Sequence, residues 1–194
     1  MRLIAVLVGL VWLAGCTAKD LNEPPVPLGD FKLGHNIVIA SKMQQGPISR
    51  KASEEDWVTN LTEAFDDRFG RYAGEGLYHF GVSVEGFMLA PPGVPLVYTP
   101  KSALIINVTV WDDGYGRKLN DEPRQFTIVE DTDQNSLIIG SGIGRSREEQ
   151  LDGLSYNAAK AIENWLVVMN QEFAWFTDDP VFNPDPEAGL TEER

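Results

Sequence analysis

Two stretches of this chain alternate apolar and polar residues with a period of two, and two others space apolar residues three and four apart. In 77–89 the even positions Tyr78, Phe80, Val82, Val84 and Met88 are apolar, against His79, Ser83 and Glu85 on the odd ones. In 103–111 Leu104, Ile106, Val108 and Val110 again form an even-numbered apolar face, opposite Asn107 and Thr109. Such alternation marks strands with one buried face. Shorter strands are expected at Ile37–Ile39, Gln125–Glu130 and Leu137–Ile143.

The helical spacing is equally plain. Trp57, Leu61, Ala64, Phe65 and Phe69 share one face of a helix that Ser53 caps, with Glu54, Glu55 and Asp56 at its positive end and Gly70 and Gly74 beyond its other end. Ser146 opens a second, longer helix with Glu149 three residues on. Its stripe runs through Leu151, Leu154, Ala158, Ile162, Trp165, Leu166, Met169, Phe173 and Phe176. Gly153 weakens its first turns by up to about 1 kcal/mol. The expected order is β-α-β-β-β-β-α, a single α+β domain. Strands with one polar face need cover on one side, which two singly striped helices supply. The expectation is therefore a four- to five-stranded, mixed or mostly antiparallel sheet with both helices on one face, leaving the other partly open.

The connections refine this outline. Residues 40–52 read as a loop, and Asp112–Gly116 (DDGYG) as a turn. The segment 91–100 (PPGVPLVYTP) is too proline-rich for a tight hairpin. Residues 17–30 contain three prolines and few core-quality side chains, which suggests an extended tether. Residues 178–194 hold six acids and one base and are broken by prolines, the composition of a disordered tail. The globular part is expected to span 31–177.

The start of the chain adds an address. Arg2 precedes an uncharged run, Leu3–Trp12, too short to span a bilayer as a stable helix. Leu13-Ala14-Gly15-Cys16 follows. This pattern resembles the bacterial lipoprotein signal and matches its lipobox at all four positions. The resemblance implies cleavage of a 1–15 signal peptide before Cys16, diacylation of the sulfur and acylation of the new amine. Two or more acyl chains make a stable membrane anchor. The competing reading is a short apolar N-terminus packed into the core, with Cys16 a buried thiol. Thr17 follows the cysteine, and family sorting rules then imply delivery to the outer membrane, with the domain expected to face the periplasm.

Composition fits that address. Cys16 is the sole cysteine, so no disulfide can form within the chain, and stability must come from apolar packing. Without residues 1–15 the chain has 15 basic residues against 29 acidic, a net charge of −14. Phosphate backbones repel such a chain, which excludes nucleic acid as an expected partner.

Candidate catalytic groups are few. His79, Ser83 and Glu85 share a strand face, but positions 79 and 83 lie about 13 Å apart along an extended strand, beyond hydrogen-bond reach. Asp131, Asp133 and Asn135 copy the opening of a calcium loop, but Ser136 and Gly142 stand where glycine and glutamate are required. Nothing in the sequence joins Asp112 and Asp113 to them. Gly140, Gly142 and Gly144, followed by Arg145 and Arg147, resemble a phosphate cradle with the wrong spacing. A bare strand face is the simpler explanation. No enzymatic activity, cofactor or metal is expected.

The remaining candidate is the stiff loop Pro91–Pro100, which offers Val94, Leu96, Val97 and Tyr98 to a partner at low entropic cost. It could equally fold over the open sheet face, against Phe87 and Trp111. The leading expectation is a non-catalytic envelope lipoprotein working through protein or lipid contacts. Its element order is similar to that of the lipopolysaccharide-assembly and curli-secretion lipoproteins, which suggests an accessory of an assembly or secretion system. The alternative is a small-ligand or hydrolytic site between the open sheet face and the proline loop.

Overall fold

The computed structural model describes residues 19–91, 101–130 and 145–182. It is an α+β domain with a mixed sheet and two helices. Strands β1 (Phe31–Ile39), β2 (Gln44–Gln45), β3 (Gly76–Met88), β4 (Ala103–Asp112), β5 (Arg117–Lys118) and β6 (Arg124–Val129) form one sheet. The α-helices among the described residues are α1 (Glu54–Phe69) and α2 (Arg147–Phe173). β1 and β2 run parallel to β3, and β4 is antiparallel to β3, β5 and β6. The expected strand 137–143 lies outside the described residues. Among the described residues no helix is long and apolar enough to cross a membrane.

Both helix starts carry the reciprocal caps their sequences suggest. The Ser53 hydroxyl accepts from the Asp56 backbone N–H, while the Asp56 carboxylate accepts from the Ser53 N–H at 2.7 Å. Ser146 and Glu149 repeat the arrangement. Each cap satisfies two backbone donors that a helix start otherwise leaves open. α2 stops at Phe173 because Ala174 turns left-handed (φ 55°), so Phe176 belongs to the following turn rather than to the helix.

The core lies between the sheet and the helices. Tyr78, Phe80, Val82 and Val84 of β3 and Leu104, Ile106, Val108 and Val110 of β4 are buried, as their alternation requires. The alternation then shifts. Between Val84 and Gly86 the pairing with β4 slips by one residue, a bulge that turns Phe87 inward and leaves Met88 half-buried. Phe87 therefore packs on Trp57, with ring centroids 5.3 Å apart, instead of lying on the outer face as its odd position suggested.

Phe31 is a hub. Its ring stacks on Tyr78 at 5.4 Å and meets Phe69, Tyr72, Phe80 and Phe176 at 5.0–6.1 Å. Asn120 fills the gap between β6 and β5 along the edge of β4. Its side-chain oxygen accepts from the Val110 N–H, and its amide donates to the Val108 carbonyl, so the side chain replaces a strand neighbour.

Two segments expected outside the domain are packed onto it. Lys19–Asn22 forms a 3-10 turn against the helices, Leu28 is fully buried, and Gly29 (φ 77°) bends the chain so that the Asp30 N–H reaches the Phe176 carbonyl. The tether expected through residue 30 is therefore absent from Lys19 onward. At the other end, the Val181 N–H donates to the Phe173 carbonyl, Pro180 is buried, and the Phe182 ring lies against Tyr115 and beneath the Arg117 guanidinium. Apolar residues inside otherwise polar, proline-broken stretches account for both differences. Residues 40–52, expected as loop, contribute the short β2 beside β3.

Candidate functional site

The open sheet face is built by the same alternation that builds the core. Register places Ile37, Gly81 and Thr109 in one row across β1, β3 and β4, with Ile39, Ser83, Asn107 and Gln125 in the parallel row beside it. His79, Trp111 and Lys118 form the row on the other side. Among the described residues no helix covers this face, and Ile37 is 59% exposed, Ile39 54%, Trp111 39% and Val129 45%. A Cβ built on Gly81 would meet nothing within 4 Å among the described residues. The result is a shallow bare strip between Ile37 and Thr109, rimmed by Ile39 and Trp111. Exposed apolar groups gathered on one face mark binding surfaces more often than single exposed residues do.

One corner of this face carries the two histidines. A bulge in β1 between Leu33 and Asn36 aims the His35 backbone N–H at His79 Nδ1, 2.7 Å away. His79 Nε2 lies 3.2 Å from Asp113 Oδ1, and the two imidazoles stack with centroids 4.9 Å apart. With Nδ1 accepting, the proton of neutral His79 sits on Nε2 and points at Asp113. Both ring nitrogens are thus engaged within the protein. His79 pairs with Asp113, not with the Ser83 or Glu85 of its own strand.

Beyond Asp113 is a hollow of about 320 Å³ whose wall includes Asp30, Glu75, Asp112, Asp178, Tyr78 and Tyr115. Its carboxylates mostly serve the fold. Asp30 accepts from the Glu75 N–H at 2.5 Å, and Asp112 accepts from the Tyr115 N–H at 2.9 Å, closing the turn. Burial, followed by nearby Asp112 and Asp30, raises the Tyr78 phenol above the ordinary tyrosine range, so it stays protonated. Its hydroxyl donates to the Trp175 carbonyl. Among the described residues no group of three or more His, Cys, Asp or Glu is arranged to hold a metal ion. The hollow opens at the start of β3, whereas the proline loop follows its end, about 30 Å away along the strand.

A third cluster joins the two helices to the N-terminal turn. Arg68 is 1% exposed. Its guanidinium donates to Glu163 at 2.6 Å and to both oxygens of Asp20 at 3.1–3.2 Å. The Tyr72 hydroxyl donates to Glu163 at 2.7 Å, the Tyr156 hydroxyl donates to Asp20, and Lys160 Nζ lies 3.4 Å from Asp20. Arg71 donates to the carbonyls of Leu21 and Glu23. Burial alone would raise the Asp20 pKa, but the Tyr156 hydroxyl, Arg68 and Lys160 outweigh it and hold the carboxyl below the usual range. The charge pattern could have shown this cluster in advance. Arg68 falls three residues after Phe65 and seven after Leu61, on the apolar side of α1 where a solvated arginine has no place.

The other candidates read from the sequence divide simply. Cys16, the loop residues Val94, Leu96, Val97 and Tyr98, the acidic turn 131–136 and the glycines at 140, 142 and 144 lie outside the described residues. Arg145 and Arg147, weighed in the sequence as parts of a phosphate cradle and set aside there, are held by carboxylates. Arg145 pairs with Glu130 at 2.9 Å, and Arg147 pairs with Asp56 and donates to the Lys51 carbonyl. Asp112 and Asp113 separate, one buried in the turn and the other turned to His79.

No protein-family model matches this chain, and no curated protein matches it. Solved structures of similar outline include a Xanthomonas campestris protein of the DUF330 family, at 13% identity and TM-score 0.44, covering 76% of this chain and 92% of that one. A hypothetical protein of Chlamydia trachomatis is similar at 6% identity and TM-score 0.38, covering 70% and 97%. A minor lipoprotein of Acinetobacter baumannii is similar at 17% identity and TM-score 0.33, covering 73% and 93%. At these identities and scores the likeness bears on neither site nor activity.

Proposed function

We propose that this chain is a bacterial envelope lipoprotein, anchored in the outer membrane through Cys16, whose periplasmic domain binds a protein partner on its open sheet face and performs no catalysis. The observation that carries the reading is the uncovered strip around Gly81, where Ile37, Ile39 and Trp111 meet solvent although a helical layer covers the opposite face. An apolar patch on a rigid sheet binds with little ordering cost. The engaged ring nitrogens of His79 support a structural role for the one histidine pair, because a general base must have a free nitrogen to offer. The partner proposed is a component of an outer-membrane assembly or secretion system, with the proline loop Pro91–Pro100 as a second contact.

The test is in-cell photocrosslinking at Ile37, Trp111 and Tyr98, with Gly81→Arg as the blocking variant. Open space around Gly81 lets a side chain enter without disturbing the fold. The reading expects Ile37 and Trp111 probes to capture the same envelope protein, and Gly81→Arg to abolish capture while the urea midpoint is unchanged. Absence of capture at all three positions, or capture that Gly81→Arg leaves intact, would overturn it.

A further inference from the structure

The clamp at Asp20 has a geometric consequence for an anchored protein. Only four Cα steps separate Cys16 from Asp20, a reach of at most about 14 Å even when fully extended. From Lys19 onward the backbone is fastened: Asp20 by Arg68, Tyr156 and Lys160, and the carbonyls of Leu21 and Glu23 by Arg71. A lipid on Cys16 is therefore not on a free leash. It sits within that reach of one fixed point on the domain.

That point lies on the outer side of the helix layer. At 100° per residue, Lys160 falls about 160–200° around α2 from the buried Ala158 and Ile162, and it is exposed. Asp20 bridges Lys160 and Tyr156 to Arg68 across the groove between α2 and α1, with the sheet beneath. The open face with Ile37, Gly81 and Trp111 is on the far side, beyond a helix layer and a sheet, each about 10 Å deep. Arg68, Arg71 and Lys160 gather at the clamp with Asp20 and Glu163. At the start of α2, Asp152 lies near Glu63, Glu148 and Glu149. Both charge groups lie on the helix layer, so the short leash, not charge, selects the face held against the headgroups.

Resting on the lipoprotein reading above, we infer that the Asp20 clamp mounts the domain in one orientation, with the Arg71–Lys160 side of the helix layer against the phospholipid headgroups and the open sheet face turned away from the bilayer. The membrane that carries the protein is then not what covers Ile37 and Trp111. That face is left to a protein arriving from the aqueous side.

The experiment uses purified, acylated full-length protein on vesicles of phosphatidylethanolamine and phosphatidylglycerol that contain a paramagnetic chelator lipid. Acylation consumes Cys16, so an introduced cysteine is the only thiol to label. Asn164→Cys, exposed one turn beyond Lys160, reports the helix side, and Ile37→Cys reports the sheet side. With two layers of about 10 Å between them and a sixth-power distance law, relaxation of the helix-side label should exceed that of the sheet-side label by at least about tenfold. Equal relaxation at both positions would overturn the inference. A flexible Gly/Ser insert of about eight residues after Ala18, long enough to span roughly 16 Å, leaves the clamp intact and should bring the two labels toward equality. An unchanged ratio with that insert would show that the leash does not set the orientation, and would also overturn it. Equal vesicle binding by Cys16→Ser would instead sink the lipoprotein reading itself.

Discussion

Replacing Glu163 with alanine tests how much of the domain depends on its buried charges. Glu163 is buried and accepts from Arg68 at 2.6 Å and from Tyr72 at 2.7 Å, with Arg71 3.4 Å away. Its removal leaves the Arg68 guanidinium inside the protein with Asp20 as its remaining carboxylate. Asp20 already serves Tyr156 and Lys160. Arg68 Nε has no hydrogen-bond partner among the described residues even in the intact protein, so the site has no spare capacity. Breaking a buried ion pair from one side costs about 3–5 kcal/mol, and the surviving Asp20 contact puts the expectation near the lower end. For a domain of this size, with a urea m-value of about 2 kcal/mol/M, that lowers the unfolding midpoint by roughly 1.5 M. Tryptophan fluorescence reports the transition, since Trp57, Trp165 and Trp175 are all buried. The double variant Arg68→Met, Glu163→Leu should lose less than Glu163→Ala, because no charge is left stranded. A midpoint shift below about 0.3 M for Glu163→Ala, or a double variant less stable than the single, would refute the reasoning.

Three further outcomes follow from the same structure. Asp20 is held below its ordinary pKa despite its burial, by Tyr156, Arg68 and Lys160, and Asp56 is lowered first by the Ser53 backbone N–H and then by the Ser53 hydroxyl. Because both folded values lie below the unfolded ones, their contribution is complete above the unfolded aspartate pKa of about 3.9 and is lost as pH falls through the lowered values. The urea midpoint should therefore decline below about pH 4, and Asp20→Asn should flatten that decline. Gly34→Ala should displace the His79 ring, since a Cβ there would overlap Nδ1 and Cε1. Nitrogen-15 spectra should then show loss of the single Nε2–H tautomer, and retention of that tautomer would show that the β1 bulge does not set it.

Much of the fold is legible in the chain, because its signals are local. The Ser53/Asp56 and Ser146/Glu149 spacings fix both helix starts, and strict alternation in β3 and β4 fixes which residues face the helices. What the sequence hides are effects of long-range register. Nothing local announces the slip at Val84–Gly86 that turns Phe87 inward, or the one in β1 that carries His35 to His79 across 44 positions of sequence. Segment composition misleads in 19–30, where Leu28 and Asp20 hold fast a stretch that its prolines make look loose. The open face is legible as an uncovered side of the sheet. Its apolar character comes from Ile37 and Ile39 on β1, a strand whose two exposed isoleucines flank a single buried Val38.

Acylation at Cys16 is the event on which anchoring, orientation and partner access all depend. Intact mass of the mature protein extracted from envelope membranes should show a chain beginning at Cys16 with three acyl groups added, and Cys16→Ser should move the protein into the soluble fraction. A mature N-terminus elsewhere, an unmodified Cys16 thiol, or an equal membrane-bound amount of Cys16→Ser would contradict the account at its base.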